Sequence, residues 1–413
     1  MKIISYLKDH WKKVLIIAFL FTIFIGRYEY KMPKRNFADF HASYYTGKKM
    51  LSGQDIYDVS ANRKDGMPNF KYPPLFASIT ALFALTSERT AATIWFIFNF
   101  ILIIIFMYYS GKMIFKDKLS AKQKNWIYFW SLFLASRFYM HNFDEGQVNF
   151  LMMTTLFLGI YASSKNKDFL GGLLIGFSIL VKYMGTIFVP YFLFKRKFKL
   201  IFYIFVSQIL FWLLPALFWG WQKNLTLQSQ YLPFLCKTSL DFNSLSDSSN
   251  QSLMSMIMRF FSAYGGYGKN ILNLGDYFLG FLTGACVVLL YLLCLLPTRN
   301  KADKKDEVFD NVNIGMISVC AALLNPNAWT HAFIFLTYGY MTAIFYLFKV
   351  KFLDKITIGL LILSFLIHSF SASFFSRWAG SLFEMYSFIT IGAIILFIAL
   401  SKIKFFPVLT AEN

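Results

Sequence analysis

Long apolar runs recur from one end of this chain to the other, many of them able to cross or nearly cross a hydrocarbon core about 30 Å thick. With 57% of its 413 residues hydrophobic and only 15% charged, the chain carries more apolar surface than a soluble domain of that length can bury. The expectation is an all-α polytopic membrane protein with about 10–13 membrane helices, forming a single membrane-embedded domain over 1–413. Its first external loop is long enough to carry short helices.

The first apolar run, Val14 to Gly26, is bounded by Lys12 and Lys13 before it and by Arg27 and Glu29 after it. No small-residue cleavage signal follows, so it reads as a retained span rather than a removed leader. Lysines at 2, 8, 12 and 13 put the N-terminus inside. Segment 30–70 is then external and polar. Further spans are expected at 72–86, 90–110, 126–140, 148–162, 200–219, 274–296, 314–324, 331–348, 356–372 and 385–400. Residues 171–194 read either as one span with Lys182 near its middle or as two short arms meeting there. Segment 220–250 reads as a long outer loop, and 251–264 as an amphipathic stretch at the outer surface. Counting places loop 111–125 outside although it holds five lysines, so one crossing between 72 and 162 conflicts with the charge rule.

The net charge of +20 raises the question of a nucleic-acid partner. Its distribution argues against one: basic residues cluster in short loops, at Lys195–Lys199, Lys349–Lys355 and Lys402–Lys404, where they mark the cytoplasmic side and meet anionic headgroups of membrane lipids. Four cysteines show no metal-ligand spacing, and three of them (Cys286, Cys294, Cys320) lie in or beside apolar runs, so neither a metal site nor a disulfide framework is expected.

Three polar features interrupt the apolar pattern. Asp39 lies in a polar stretch just after the first span, with His41, Tyr44 and Tyr45 nearby. A carboxylate at the membrane surface is placed to act as a general base on a lipid-borne substrate, although the same residue can simply cap a helix. Lys182 is costly in lipid and must face a cavity or a partner. An anionic phosphate suits it, since it accepts several charge-assisted bonds. Arg259 stands near an outer membrane edge as a second cation. The third feature is the turn Asn325-Pro326-Asn327-Ala328-Trp329-Thr330-His331, where two apolar runs meet. His331 is either a packed histidine or a donor to a phosphate or sugar oxygen, and Trp329 is either an interfacial anchor or a face for a sugar ring. Lys71 and Tyr72, ahead of Pro73-Pro74, are candidate cavity liners. Gln147 and Asn149, after Gly146, are amides able to read sugar hydroxyls or to cap a helix.

At these residues the chain resembles the polyprenyl-phosphate-dependent glycosyltransferases of family 87, within the GT-C superfamily. The resemblance runs through Asp39, Tyr44, Gly47, Gly53, Ile56 and Tyr57, then Tyr72-Pro73-Pro74, Gly146-Gln147-Val148-Asn149, Lys182, Asn250-Gln251-Ser252 with Arg259, and Asn325-Pro326 with Trp329 and His331. It covers roughly residues 36–335. What it implies is a GT-C-like enzyme that moves a hexose, typically mannose, from a polyprenyl-phosphate donor to a lipid or glycan acceptor. The reaction would take place at the outer face of a bacterial or archaeal cell membrane, with inversion and with no metal or cofactor. Asp39 takes the position of the base, Lys182 that of the buried lysine and His331 that of the late histidine. Two departures stand out. Asn325 precedes the proline where serine is frequent, and Ala332 follows His331 where a second histidine is common. The rival reading is a transporter or flippase of lipid-linked sugars, which needs the cavity and its cations but no base.

Overall fold

The computed structural model describes residues 22, 26, 37–57, 70–115, 119–239, 245–263, 270–296, 307–370 and 376–408. The first apolar run, apart from Thr22 and Gly26, and the N-terminal lysines lie outside the described residues. Every named element among the described residues is helical, and the one β-bridge joins Asn250 to Trp329. Among the described residues, five helices are long and apolar enough to cross a membrane: Glu88–Ile114, Phe198–Trp219, Asp276–Leu295, Thr330–Lys349 and Phe388–Phe405. Shorter apolar helices include Asp168–Val181, Tyr183–Phe194 and Lys355–Ser369. The chain is an integral membrane protein with an all-α polytopic fold.

Helix Glu88–Ile114 sets the direction of the rest. Ser87 caps its start by accepting from the Thr90 amide at 3.2 Å. Glu88 meets His41 and Tyr45 there, on the helix that carries Asp39. Twenty-seven residues rise about 40 Å, so Ile114 lies at the far end. Helix Asn149–Ser164 runs parallel to it, with Phe157 5.2 Å from Phe106 and Tyr161 edge-on to Tyr109 at 4.9 Å. Helix Glu307–Leu323 begins at its far end, where Asn311 donates to the Met113 carbonyl at 3.2 Å, and Phe115 lies 5.9 Å from Phe345. Lys112, Lys122, Lys124, Lys165 and Lys349 thereby share one end of the bundle.

Helices Asp168–Val181 and Phe198–Leu213 run parallel and very close. A Cβ on Gly172 would stand 2.4 Å from that of Tyr203, and one on Gly176 would strike the Ser207 hydroxyl. Small residues at such a seam let two backbones approach without a hydrophobic driving force between them. The parallel course puts Lys195, Arg196, Lys197 and Lys199 at the lysine-rich end as well. Lys402, paired there with buried Asp354, adds to it.

Several segments differ from the sequence expectation. Pro74–Phe83 has ten residues, about 15 Å of rise, and cannot cross. Its two ends stay with the first-loop helix Ala38–Leu51 and the chain after it: Tyr57 donates to the Tyr72 carbonyl at 2.9 Å, and Tyr44 to the Thr86 carbonyl at 2.8 Å. Segment 72–86 is therefore not a span. Removing it from the count moves loop 111–125 to the end that holds Lys195–Lys199, which resolves the conflict over its lysines. Segment 220–250 is not a plain loop either, since Trp221–Ser239 is a helix. Residues 171–194 form two arms, with Lys182 extended between Asp168–Val181 and the 3-10 turn Tyr183–Phe188. The stretch read as 126–140 is two helices, Ala121–Leu134 and Ser136–Glu145.

Single cysteines replacing exposed Lys122 and Lys199 are expected to react with a membrane-impermeant maleimide from the same side of sealed vesicles, and one replacing exposed Gln54 only from the other. Labelling of all three from one side would refute the direction of Glu88–Ile114.

Candidate active site

Helix Ser136–Glu145 stops because Gly146 turns left-handed, with φ of 65°. Only glycine takes that conformation freely. It is also the one side chain that fits, since a Cβ there would lie 2.6 Å from that of Phe40. The Gly146 carbonyl is fixed by the Trp95 indole at 2.8 Å. The turn then delivers two amides in succession. Gln147 donates through Nε2 to Asp39 Oδ2, and Asn149 opens the next helix, Asn149–Ser164.

Asn149 receives a hydrogen bond from Lys182 Nζ at 2.9 Å on its Oδ1, and its Nδ2 donates to Asn142 Oδ1 at 3.0 Å and to the His331 carbonyl at 3.3 Å. Asn142 donates to the same His331 carbonyl at 2.7 Å. One short stretch of chain thus locates Asp39, Lys182 and His331 relative to one another. Lys182 is available because the helix breaks at that residue. Broken helices are tolerated at membrane depth where they line a cavity.

That cavity has a volume of about 510 Å³, within the range of small-molecule sites, roughly 300–1,000 Å³. Asp39, Lys71, Tyr72, Gln147, Lys182, Trp329 and His331 all line it. Seven of the ten residues singled out from sequence therefore meet in one chamber. Lys182 and Asp39 make no direct ion pair; each is held by a neutral amide instead. His331 is 7% exposed, and its Nδ1 has no hydrogen-bond partner among the described residues. Its ring lies 6.5 Å from the Trp329 ring at 19°, and Trp329 itself is 43% exposed. Burial holds the Asp39 carboxyl above the usual carboxylate range, against the opposing pull of Lys182, Lys71 and the Gln147 hydrogen bond. Burial, with the nearby Asp39 charge, pushes the Tyr72 phenol well up, so it stays a neutral donor.

Three residues expected to touch substrate do not line the chamber. Arg259 is buried and donates to the carbonyls of Asp247 and Asn250 at 2.6 and 2.7 Å, to Ser255 Oγ at 2.9 Å and to Ser387 Oγ at 2.7 Å. It ties the 247–255 segment to the last helices. His41 pairs through Nδ1 with Glu88, away from the cavity. Asn149 acts on Lys182 and His331 rather than on the open space. Sequence reasoning did not offer His141, Glu145, Gln208, Tyr231, Ser249, Asn327 or Glu384 as cavity contacts, and all seven also line the chamber. His141 and Glu145 lie one turn apart at the end of the helix that stops just before Gly146 and Gln147. For Gln208 and Glu384 no local signal exists, because they reach the chamber only through packing.

The model of glycosyltransferase family 87 matches residues 70–326. No curated protein matches the chain significantly.

Replacing Gly146 by alanine is expected to cost about 1–2 kcal/mol through its left-handed backbone alone, with a further loss from displacing Phe40. A thermal unfolding midpoint equal to that of the parent protein would contradict this account of the turn.

Proposed function

The chain belongs to glycosyltransferase family 87, and from that premise we propose that it transfers a hexose, mannose foremost, from a polyprenyl phosphate to a hydroxyl of a lipid or glycan acceptor, with inversion. Family membership makes it a glycosyltransferase rather than a carrier that only moves lipid-linked sugars. The observation that carries the finer reading is the single chamber shared by Asp39, Lys182, Lys71 and His331.

In this reading the donor phosphate takes the two remaining N–H bonds of Lys182, with Lys71 adding charge and His331 a ring N–H. The acceptor oxygen attacks the anomeric carbon from the face opposite the phosphate. As that bond forms, the carbon–oxygen bond to the phosphate breaks and its electron pair stays on the phosphate. Asp39 takes the acceptor proton. A phosphate leaves without being protonated, so the second carboxylic acid of a glycoside hydrolase is not required. The cations are preorganised where negative charge grows. Gln147 fixes the carboxylate that must face the acceptor, and Tyr72 stays protonated to donate to a sugar oxygen. The basic residues gathered at the opposite end of the bundle favour the cytoplasm, which turns the chamber outward, toward a bacterial or archaeal envelope.

Asp39→Asn is expected to lower transfer by roughly 10²-fold or more while donor binding and folding persist. The fold favours the neutral carboxyl at this position, so ionising Asp39 withdraws stability as pH rises through its raised pKa, and the amide removes that penalty. The same shift predicts that the parent enzyme loses rate as pH falls, through an apparent pKa above 3.8, and that this acid limb is carried by Asp39. Transfer at the parent rate by the Asn variant would refute the base.

Lys182→Met is expected to weaken donor binding by roughly tenfold or more, the loss of one charge-assisted contact, with acceptor binding little changed. Titration of polyprenyl-phosphate mannose against both proteins measures it, and equal dissociation constants would exclude the phosphate contact.

A further inference from the structure

The chamber has a second polar wall that the proposed chemistry does not use. Asn250 bridges to Trp329, and the Gln251 amide donates to the Ala328 carbonyl at 2.8 Å. The Gln251 side chain donates to the carbonyls of Ser248 at 2.6 Å and Glu384 at 2.7 Å. Three distant stretches of sequence are thereby knit into one surface. Ser249, Asn327, Trp329 and Glu384 face the cavity from it.

The side chains on this wall are uncommitted. Within the described residues, the Ser249 hydroxyl, the Asn327 amide and the Glu384 carboxylate make no hydrogen bond or ion pair. The nearest cations to Glu384 are occupied elsewhere. Arg137 donates to the carbonyls of His368 and of Phe370, the latter at 2.8 Å, and Arg259 is held in the network already described. The charges that act on Glu384 are Arg137, Asp247 and Arg259, not Lys182 or Lys71. The cavity therefore has one zone rich in cations, around Asp39, and one that offers acceptors, an amide and an indole face, with Arg137 and Arg259 behind it rather than in the lining. A phosphate suits the first. A neutral polyhydroxylated ring suits the second: vicinal hydroxyls donate to a carboxylate in charge-assisted bonds, an amide and a hydroxyl serve the rest, and Trp329 lends its ring face.

We propose that Glu384 is a specificity-determining residue that binds the hydroxyls of a carbohydrate acceptor, on a subsite completed by Ser249, Asn327 and Trp329. The proposal rests on the transferase reading above and adds the chemical class of the acceptor. Glu384 lies beyond the stretch matched by the family, 70–326, so the match assigns it no role.

The test uses the full chain in nanodiscs, with polyprenyl-phosphate mannose as donor and octyl mannoside, octyl glucoside and octyl galactoside as acceptor probes. Glu384→Gln is expected to raise the acceptor KM roughly tenfold, while donor KM and the kcat at saturating acceptor stay at parent values. Glu384→Asp should recover part of the loss. Among the described residues the carboxylate makes no hydrogen bond or ion pair, so both variants should melt with the parent. An acceptor KM that does not move, or a donor KM that moves by the same factor, would overturn the proposal. So would a parent enzyme that hydrolyses the donor yet transfers to none of the three glycosides, an outcome that leaves the donor reading standing. Failure of that underlying reading has its own signature: Asp39→Asn would transfer as fast as the parent protein.

Discussion

Opposite charges placed together in a membrane-embedded chamber tend to collapse onto each other, and a collapsed pair is useless to a substrate. Here the collapse is prevented by two neutral amides on one turn. Gln147 holds the Asp39 carboxylate and Asn149 holds the Lys182 ammonium. Each amide offsets part of the desolvation that its partner suffers, yet it leaves the charge with bonding capacity to spare. The turn that carries both amides exists only because Gly146 can adopt a positive φ against Phe40. Asp39, Lys182 and the His331 backbone are thus fixed by four consecutive residues, and the rest of the bundle brings the other elements to them.

The membrane class was legible from the apolar runs, because no other environment accommodates so much apolar surface. Much of the chamber was legible too. A carboxylate after the first span, a lysine inside an apolar run and a polar turn between two runs each violate the local pattern, and such violations collect at sites. Other features were not readable. Pro74–Phe83 has the hydropathy of a span, and only its contacts with the Ala38–Leu51 region show that it turns back. Trp221–Ser239 is polar enough to read as loop, yet it is helical and packs beside the first loop, where the Tyr57 ring lies tilted against Tyr231 and Phe234, each at 5.6 Å. Arg259 looked like a ligand because a cation near a membrane edge has the same sequence signature whether it meets a phosphate or a set of backbone carbonyls.

The irregular backbone is concentrated where it can be tolerated. The break at Lys182, the left-handed Gly146 and the 3-10 turn at Thr330–Phe335 all border the same chamber. Each interrupts a helix that would otherwise satisfy its own amides and carbonyls. In lipid such interruptions would be prohibitively costly. Around a polar cavity they expose donors and acceptors to a space in which water or substrate can meet them. The chamber is therefore as much a condition for these broken helices as a product of them.

Arg259 and Gln251 extend this logic beyond Asp39 and Lys182. Both lie in the segment between Asp247 and Arg259; Gln251 acts through backbone carbonyls, and Arg259 through the carbonyls of Asp247 and Asn250 and the hydroxyls of Ser255 and Ser387, so they fix where chain passes rather than what it binds. Arg259 fastens this segment to Ser387, Gln251 fastens it to Ala328 and Glu384, and Thr390 closes the loop by donating to the Gln251 carbonyl at 2.7 Å. The late turn with Trp329 and His331 consequently cannot shift without moving the Glu384 helix. His331 is tied on its other side to Asn142 and Asn149. Position is thus transmitted from the amides that hold Asp39 and Lys182, through the His331 turn, to the wall on which a carbohydrate would rest. A displacement of either zone would misalign the other, which explains why so much buried hydrogen bonding is invested in segments that never touch the open cavity.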